Sequence, residues 1–339
     1  METITFIIQF ILGLILVVKG ADFLTDGASS VARRFNVSTL IIGLTIVAFG
    51  TSLPELVVST VSAIKGNNEI ALGNVIGSNI FNTLAILGTT ILVTPVICKR
   101  DLLRRDLPLN TAVTFLIIFM MYFFDQNGSF AFSKENMTLT RIEGGILLVI
   151  FITYIYITIA NVLKSRRKKH DEININQEKS GEANKKEMSI LKSTILIILG
   201  LAMLIGGGDW FVDGASGIAS ILGVSQSVIA LTIVAAGTSL PELVTSIMAA
   251  RKGDTDMAIG NAVGSNIFNI LLILGVSSLI CPMSPGNIQT IDFIALLGSV
   301  ILLLVVCLLN ANKKISKSWG VLFILCVIVY YTYLIMQTL

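Results

Sequence analysis

Two stretches of this chain repeat each other at a constant offset of 187 residues, and that duplication limits the fold more than any other feature. GLTIVAFGTSLPELVVS (43–59) recurs as ALTIVAAGTSLPELVTS (230–246), and ALGNVIGSNIFNTLAILG (71–88) recurs as AIGNAVGSNIFNILLILG (258–275). Upstream, Asp22, Asp26, Gly27, Ala28 and Ser29 return as Asp209, Asp213, Gly214, Ala215 and Ser216. About 40 of the 69 aligned positions are identical, without a gap. Whatever the first copy builds, the second must build again.

What each copy builds follows from its apolar runs. Over 339 residues only 13% are charged, and the mean hydropathy is +0.86, more apolar side chain than one aqueous core can bury. A helix needs roughly 20 apolar residues to cross a hydrocarbon core. Runs of that kind fall near 4–31, 38–64, 70–94, 107–124 and 141–163, then near 192–220, 225–250, 256–280, 288–309 and 318–337. The chain therefore reads as an all-α polytopic membrane protein of about ten transmembrane helices. Its units are residues 1–163, a charged linker 164–191 whose composition suits a mobile segment, and residues 192–339, with the repeated cores at about 38–90 and 225–277. METITF offers neither a basic region nor a cleavage motif, so the first run is expected to stay.

Five helices is an odd number, so the second copy enters the membrane from the opposite side and the repeats are inverted. Charge agrees. With both termini outside, about 20 of the 24 Lys and Arg fall in loops on the cytoplasmic side, among them Arg33, Arg34, Lys99 to Arg105, Arg251 and Lys252. Lys65, Lys134 and Arg141 fall outside and Lys19 lies within a helix. A multi-pass protein of a prokaryotic-type inner or plasma membrane is expected. The bilayer is its only required partner besides its cargo, nucleic acid is not expected, and a monomer is expected to function.

Glu55 and Glu242 occupy matching places in otherwise apolar helices, where a charge at bilayer depth costs at least about 2.5–3.5 kcal/mol. A structural carboxylate explains one such residue more easily than two in identical GTSLPE contexts. In each context Pro54 or Pro241 lacks an N–H, so the carbonyl of Gly50 or Gly237 loses its helical partner. Irregular backbone at this depth must line a cavity or be buried in protein. Freed carbonyls beside Thr, Ser and Glu oxygens make an all-oxygen set that suits a hard cation. A proline kink serving packing alone leaves Glu, Thr and Ser unexplained.

The second repeated motif, GNxxGSNIFN, puts Ser78 and Asn82 on one helix face and Ser265 and Asn269 on another. Gly73, Gly77, Gly260 and Gly264 recur at four-residue spacing, a close-packing signal. Ser and Asn on the same helices add a polar cavity lining.

These paired motifs resemble the alpha-repeats of the cation/calcium antiporter superfamily, most closely its sodium/calcium exchanger branch. The resemblance implies alternating access, sodium entering down its gradient while calcium leaves through a site between inverted repeats. It implies calcium ligation by Glu55 and Glu242 with the carbonyls of Thr51 and Thr238. Sodium sites would be built from the same glutamates with Ser52, Ser78, Ser239, Ser265 and the carbonyls of Ala48 and Ala235. Asn82 and Asn269 would lie beside the centre. Potassium-dependent relatives carry Asp where this chain has Asn269, which leaves two carboxylates and argues against potassium cotransport. No cofactor is implied beyond transported calcium and sodium, and no enzymatic activity. The alternative is proton/calcium antiport on the same scaffold, with a cation channel behind it.

Other features are read as structural. GGGDW (206–210) resembles an intramembrane aspartyl protease motif, but its repeat mate reads KGADF. Asp22/Asp26 and Asp209/Asp213 are expected to cap or to pack on the polar side, and His170 to be solvated. The four cysteines, Cys98, Cys281, Cys307 and Cys326, lack metal or framework spacing and are expected to be packing residues.

Overall fold

The computed structural model describes residues 2–35, 37–123, 137–175, 188–222, 235–286, 288–311 and 313–338. These fold almost wholly into helices. In the first copy they are α1 (Glu2–Arg34), α2 (Thr39–Thr51), α3 (Leu53–Ile64), α4 (Asn68–Val93), α5 (Leu107–Phe123) and α6 (Arg141–Ile175). In the second they are α7 (Ile190–Ile221), α8 (Ala235–Thr238), α9 (Leu240–Arg251), α10 (Thr255–Ile280), α11 (Thr290–Leu309) and α12 (Lys317–Thr338). Among the described residues seven helices are long and apolar enough to cross a membrane, and eight when α2 and α3 count as one bent span. The beginning of the helix expected at 225–250 lies outside the described residues, as do linker residues 176–187. α6 runs on to Ile175, past the boundary at 163 that composition suggests.

Burial separates the helices into two classes. α4 and α10 have 78% of their apolar windows inside the protein, whereas α1, α6, α7 and α12 have about a fifth or less and present apolar side chains outward, as a lipid-facing helix must. The outer helices also interlock the copies. α6 packs on α10, where a side chain on Gly144 would strike the Gly275 carbonyl, and α12 packs on α4, where one on Gly320 would strike the Gly88 carbonyl. Neither copy closes its core without the other.

α1 and α7 lie along each other and make the most extensive helix pairing in the fold. Small residues permit it: a Cβ on Gly200 would lie 2.7 Å from the Gly20 carbonyl oxygen, and one on Gly20 would lie 2.8 Å from that of Gly200. Two backbone bridges, Ile97 with Lys314 and Leu139 with Met283, tie loops of opposite copies. Beside the first, Cys98 and Cys307 form a disulfide across 209 residues. That corrects the expectation that all four cysteines are packing residues; no sequence spacing marks a pair so far apart. Cys281 and Cys326 remain thiols.

Candidate functional site

Each repeated GTSLPE segment breaks its helix at the serine, two residues before the proline. Ser52 has φ −83° and ψ 9°, and Ser239 has −89° and 8°. α2 and α3 meet there at 47°. The proline then occupies the first turn of the new helix, where its missing N–H costs nothing. The glycines serve close approach: a Cβ on Gly50 would strike Leu201, and one on Gly237 would strike Val212, both on α7. Glu55 and Glu242 thus sit in the first turns of α3 and α9, where the helix dipole favours a negative group.

Both glutamates are fully buried, and each is held from the other copy. Ser239 Oγ donates to Glu55 Oε1 at 2.9 Å, and Ser52 Oγ donates to Glu242 Oε1 at 2.9 Å. Ser78 Oγ adds a long contact to Glu55 at 3.5 Å. Its repeat mate Ser265 is buried with no hydrogen bond of acceptable geometry. Glu55 Oε2, Glu242 Oε2, both side-chain polar atoms of Asn82 and the Asn269 oxygen are likewise buried and unpartnered.

Two other buried acids are better satisfied: Asp106 is paired with Arg105 at 2.9 Å, and Asp292 accepts from Tyr330 at 2.9 Å and from the Gln289 amide at 2.8 Å. No Lys or Arg is buried among the described residues, and none of them pairs with Glu55 or Glu242. Two desolvated carboxylates, each with an unpartnered oxygen, call for a cation or a proton.

Neutral amides fix the surrounding backbone. Asn74 Nδ2 donates to the Glu55 carbonyl at 3.3 Å and to Ser59 at 2.9 Å, and Asn261 does the same to the Glu242 carbonyl and Ser246 at 3.2 and 3.0 Å. Thr51 donates to Asn261 at 3.2 Å. Asn269 Nδ2 donates to Asn79 at 2.9 Å, and Asn266 Nδ2 donates to Thr83 at 2.7 Å. Asn82 and Asn269 each open a π-helical turn, Asn82–Ile86 and Asn269–Ile273, a distortion frequent at functional sites. Asn74, Asn79, Asn261 and Asn266 were not singled out from sequence, although Asn74 lies four residues before Ser78 and so on the same face.

Of the backbone acceptors expected from the resemblance, the Ala48 carbonyl already accepts from the Ser52 amide at 3.0 Å, and Ala235 begins α8. Thr238 and Gly237 line a cavity of about 630 Å³ that also touches Pro54, Pro241, Asp209 and Asp213. It reaches the helix breaks from the end of the molecule where α7 carries its two aspartates.

The profile of the family described as "Sodium/calcium exchanger protein" matches residues 5–160 and 192–338. The sodium/calcium exchanger MaX1 of Methanosarcina acetivorans is 33% identical over 348 residues, covering 95% of each chain. The inner membrane protein YrbG of Escherichia coli K12 is 35% identical, covering 84% of this chain and 81% of its own. Among solved structures, the sodium-calcium exchanger NCX_Mj soaked with zero Na+ and Ca2+ superposes with a TM-score of 0.79 at 31% identity, covering 98% of this chain and 99% of that one.

Proposed function

The chain belongs to the sodium/calcium exchanger family, and from that premise we propose that it is a secondary antiporter exchanging sodium for calcium by alternating access between its two copies. The observation that carries the reading is the pair Glu55 and Glu242: buried, bridged across the repeat axis by Ser239 and Ser52, and paired with no cationic side chain among the described residues. A hard divalent ion accepts two carboxylates and neutral oxygens as its shell. Thr51, Thr238 and the serines Ser52, Ser78, Ser239 and Ser265, with the Ala48 and Ala235 carbonyls, supply oxygens for calcium or for sodium once calcium leaves. Asn82 and Asn269 are neutral neighbours of the site. The two carboxylates balance one calcium ion, and exchange of more than two sodium ions for it moves net charge. The proposal includes ten spans with both termini outside, the orientation that basic loop residues favour.

Purified protein in liposomes tests the reading. Calcium uptake is expected when an opposed sodium gradient is imposed at fixed pH, at a rate that changes with the imposed membrane voltage. Uptake driven by a pH gradient alone overturns sodium coupling in favour of protons, and flux without a counter-ion overturns antiport.

A further inference from the structure

Lys252 fastens one end of the molecule. From the turn between α9 and α10 its Nζ lies 2.5 Å from Asp22 Oδ1 and 2.9 Å from Asp26 Oδ1 on α1, and donates to Thr25 Oγ1 at 2.9 Å. Two residues on, Asp254 accepts from Ser29 at 3.1 Å and from Thr39 at 2.7 Å. Below these contacts Ala21, Leu240 and Val244 belong to one apolar cluster, so this end is closed.

Repeat symmetry provides the same parts at the other end. Lys65, Asn67, Asp209, Asp213 and Ser216 stand 187 residues from Lys252, Asp254, Asp22, Asp26 and Ser29. The two lysine turns have one build: Gly66 has φ 75° and Gly253 φ 83°, and their amides donate to Ala63 and Ala250 at 3.1 and 3.0 Å. Yet among the described residues Lys65 forms no ion pair, Asp209 and Asp213 meet no cation, and Ser216 Oγ is buried without a partner. Asp209 and Asp213 instead face the 630 Å³ cavity, whose opposite wall is Leu53, Pro54, Val57 and Val58. Equal turns with unequal contacts mean that the α1/α7 pair stands closer to the second copy's turn than to the first's.

We propose that these are two mutually exclusive latches, Lys252 on Asp22 and Asp26 in this state, and Lys65 on Asp209 and Asp213 in the opposite state. The inference rests on the antiporter reading, because alternating access requires the second state. Exchanging the conformations of the two copies generates it: the cavity shuts, Lys65 meets Asp209 and Asp213, and Lys252 lets go. Half-exposed ion pairs are weak and screened, which suits contacts that must open in every cycle. The chain then carries a closing contact for each side of the membrane that leaves the ion ligands untouched.

The test uses the full chain in liposomes, with Cys98, Cys281, Cys307 and Cys326 replaced by Ser and Lys65→Cys combined with Asp213→Cys. Oxidation is expected to cross-link this pair in a subset of ion conditions, to arrest exchange, and to release it on reduction. The pair Lys252→Cys with Asp26→Cys is expected to cross-link under the complementary conditions. Absence of the first cross-link where the second forms overturns the proposal, and so does formation of both in one molecule. As a variant that keeps the native cysteines, Lys65→Gln is expected to slow exchange severalfold with calcium affinity unchanged, and Lys65→Asp with Asp213→Lys to restore it. An unchanged rate in Lys65→Gln overturns the latch. Cross-links are read on gels without transport, so failure of sodium-driven uptake by the parent chain bears on the antiporter reading alone.

Discussion

Ser239 donates its hydroxyl hydrogen to Glu55 Oε1 across 2.9 Å, from the copy that does not contain Glu55. Ser52 returns the contact to Glu242 at the same distance. Each glutamate is therefore oriented by the helix break of the opposite copy, and the pair responds as one unit. A hydrogen bond to a charged group contributes about 1.5–3 kcal/mol. Ser52→Ala and Ser239→Ala are each expected to weaken calcium binding by roughly tenfold or more. Calorimetric titration of the purified protein measures this, and an unaltered affinity in both variants contradicts it.

The same burial makes the glutamates a liability when no ion is present. Their desolvation costs several kcal/mol, and no cationic side chain among the described residues offsets it. Glu55→Gln and Glu242→Gln are expected to abolish calcium exchange while raising the melting temperature in calcium- and sodium-free detergent solution. They are also expected to lose the calcium-dependent stabilisation, which for a site filled at 100 times its Kd amounts to about 2.7 kcal/mol. Retained exchange in either variant removes that glutamate from the site.

Sequence carried the duplication, the membrane class and the identity of the central acids because each is a local signal: an offset, a run of apolar residues, a charge where charge is costly. The prolines announced a helix break, yet the break falls at Ser52 and Ser239, since proline prefers the first turn of a helix already begun. Contacts between helices were less legible. That α6 crosses to α10 and α12 to α4 depends on packing between distant segments, and periodicity cannot name a helix's partner. The seven-residue spacings of Gly13, Gly20 and Gly27 and of Gly200, Gly207 and Gly214 acquire meaning only when α1 and α7 lie together. Cys98 and Cys307 carry no mutual signal at all.

The α1/α7 contact predicts a steep difference between glycines. A methyl group on Gly200 meets the backbone of α1, the Gly20 oxygen and the Leu24 nitrogen each at 2.7 Å, and neither atom can swing away. Overpacking of this kind costs about 1–3 kcal/mol. Gly298, in the middle of α11, meets nothing within 4 Å. Thermal unfolding is expected to show a lowered transition for Gly200→Ala and an unchanged or slightly raised one for Gly298→Ala, since alanine is the better helix former. Equal transitions contradict the tight pairing.

Asn269 decides how many charges the centre holds. Its Nδ2 donates to Asn79 Oδ1 at 2.9 Å, while Asn79 Nδ2 donates to the Asn266 carbonyl at 3.4 Å. Asn269→Asp replaces that donor with an oxygen, so two acceptors face each other in a buried site and a third carboxylate joins Glu55 and Glu242. Leaving a buried acceptor unsatisfied costs about 1–3 kcal/mol, and more for a charged group. The variant is expected to melt at a lower temperature than the parent without ions. Because a third negative charge demands a further cation, added calcium or sodium is expected to narrow that difference. Melting curves with and without each ion measure both effects, and a variant as stable as the parent in ion-free solution contradicts the donor role given to Asn269.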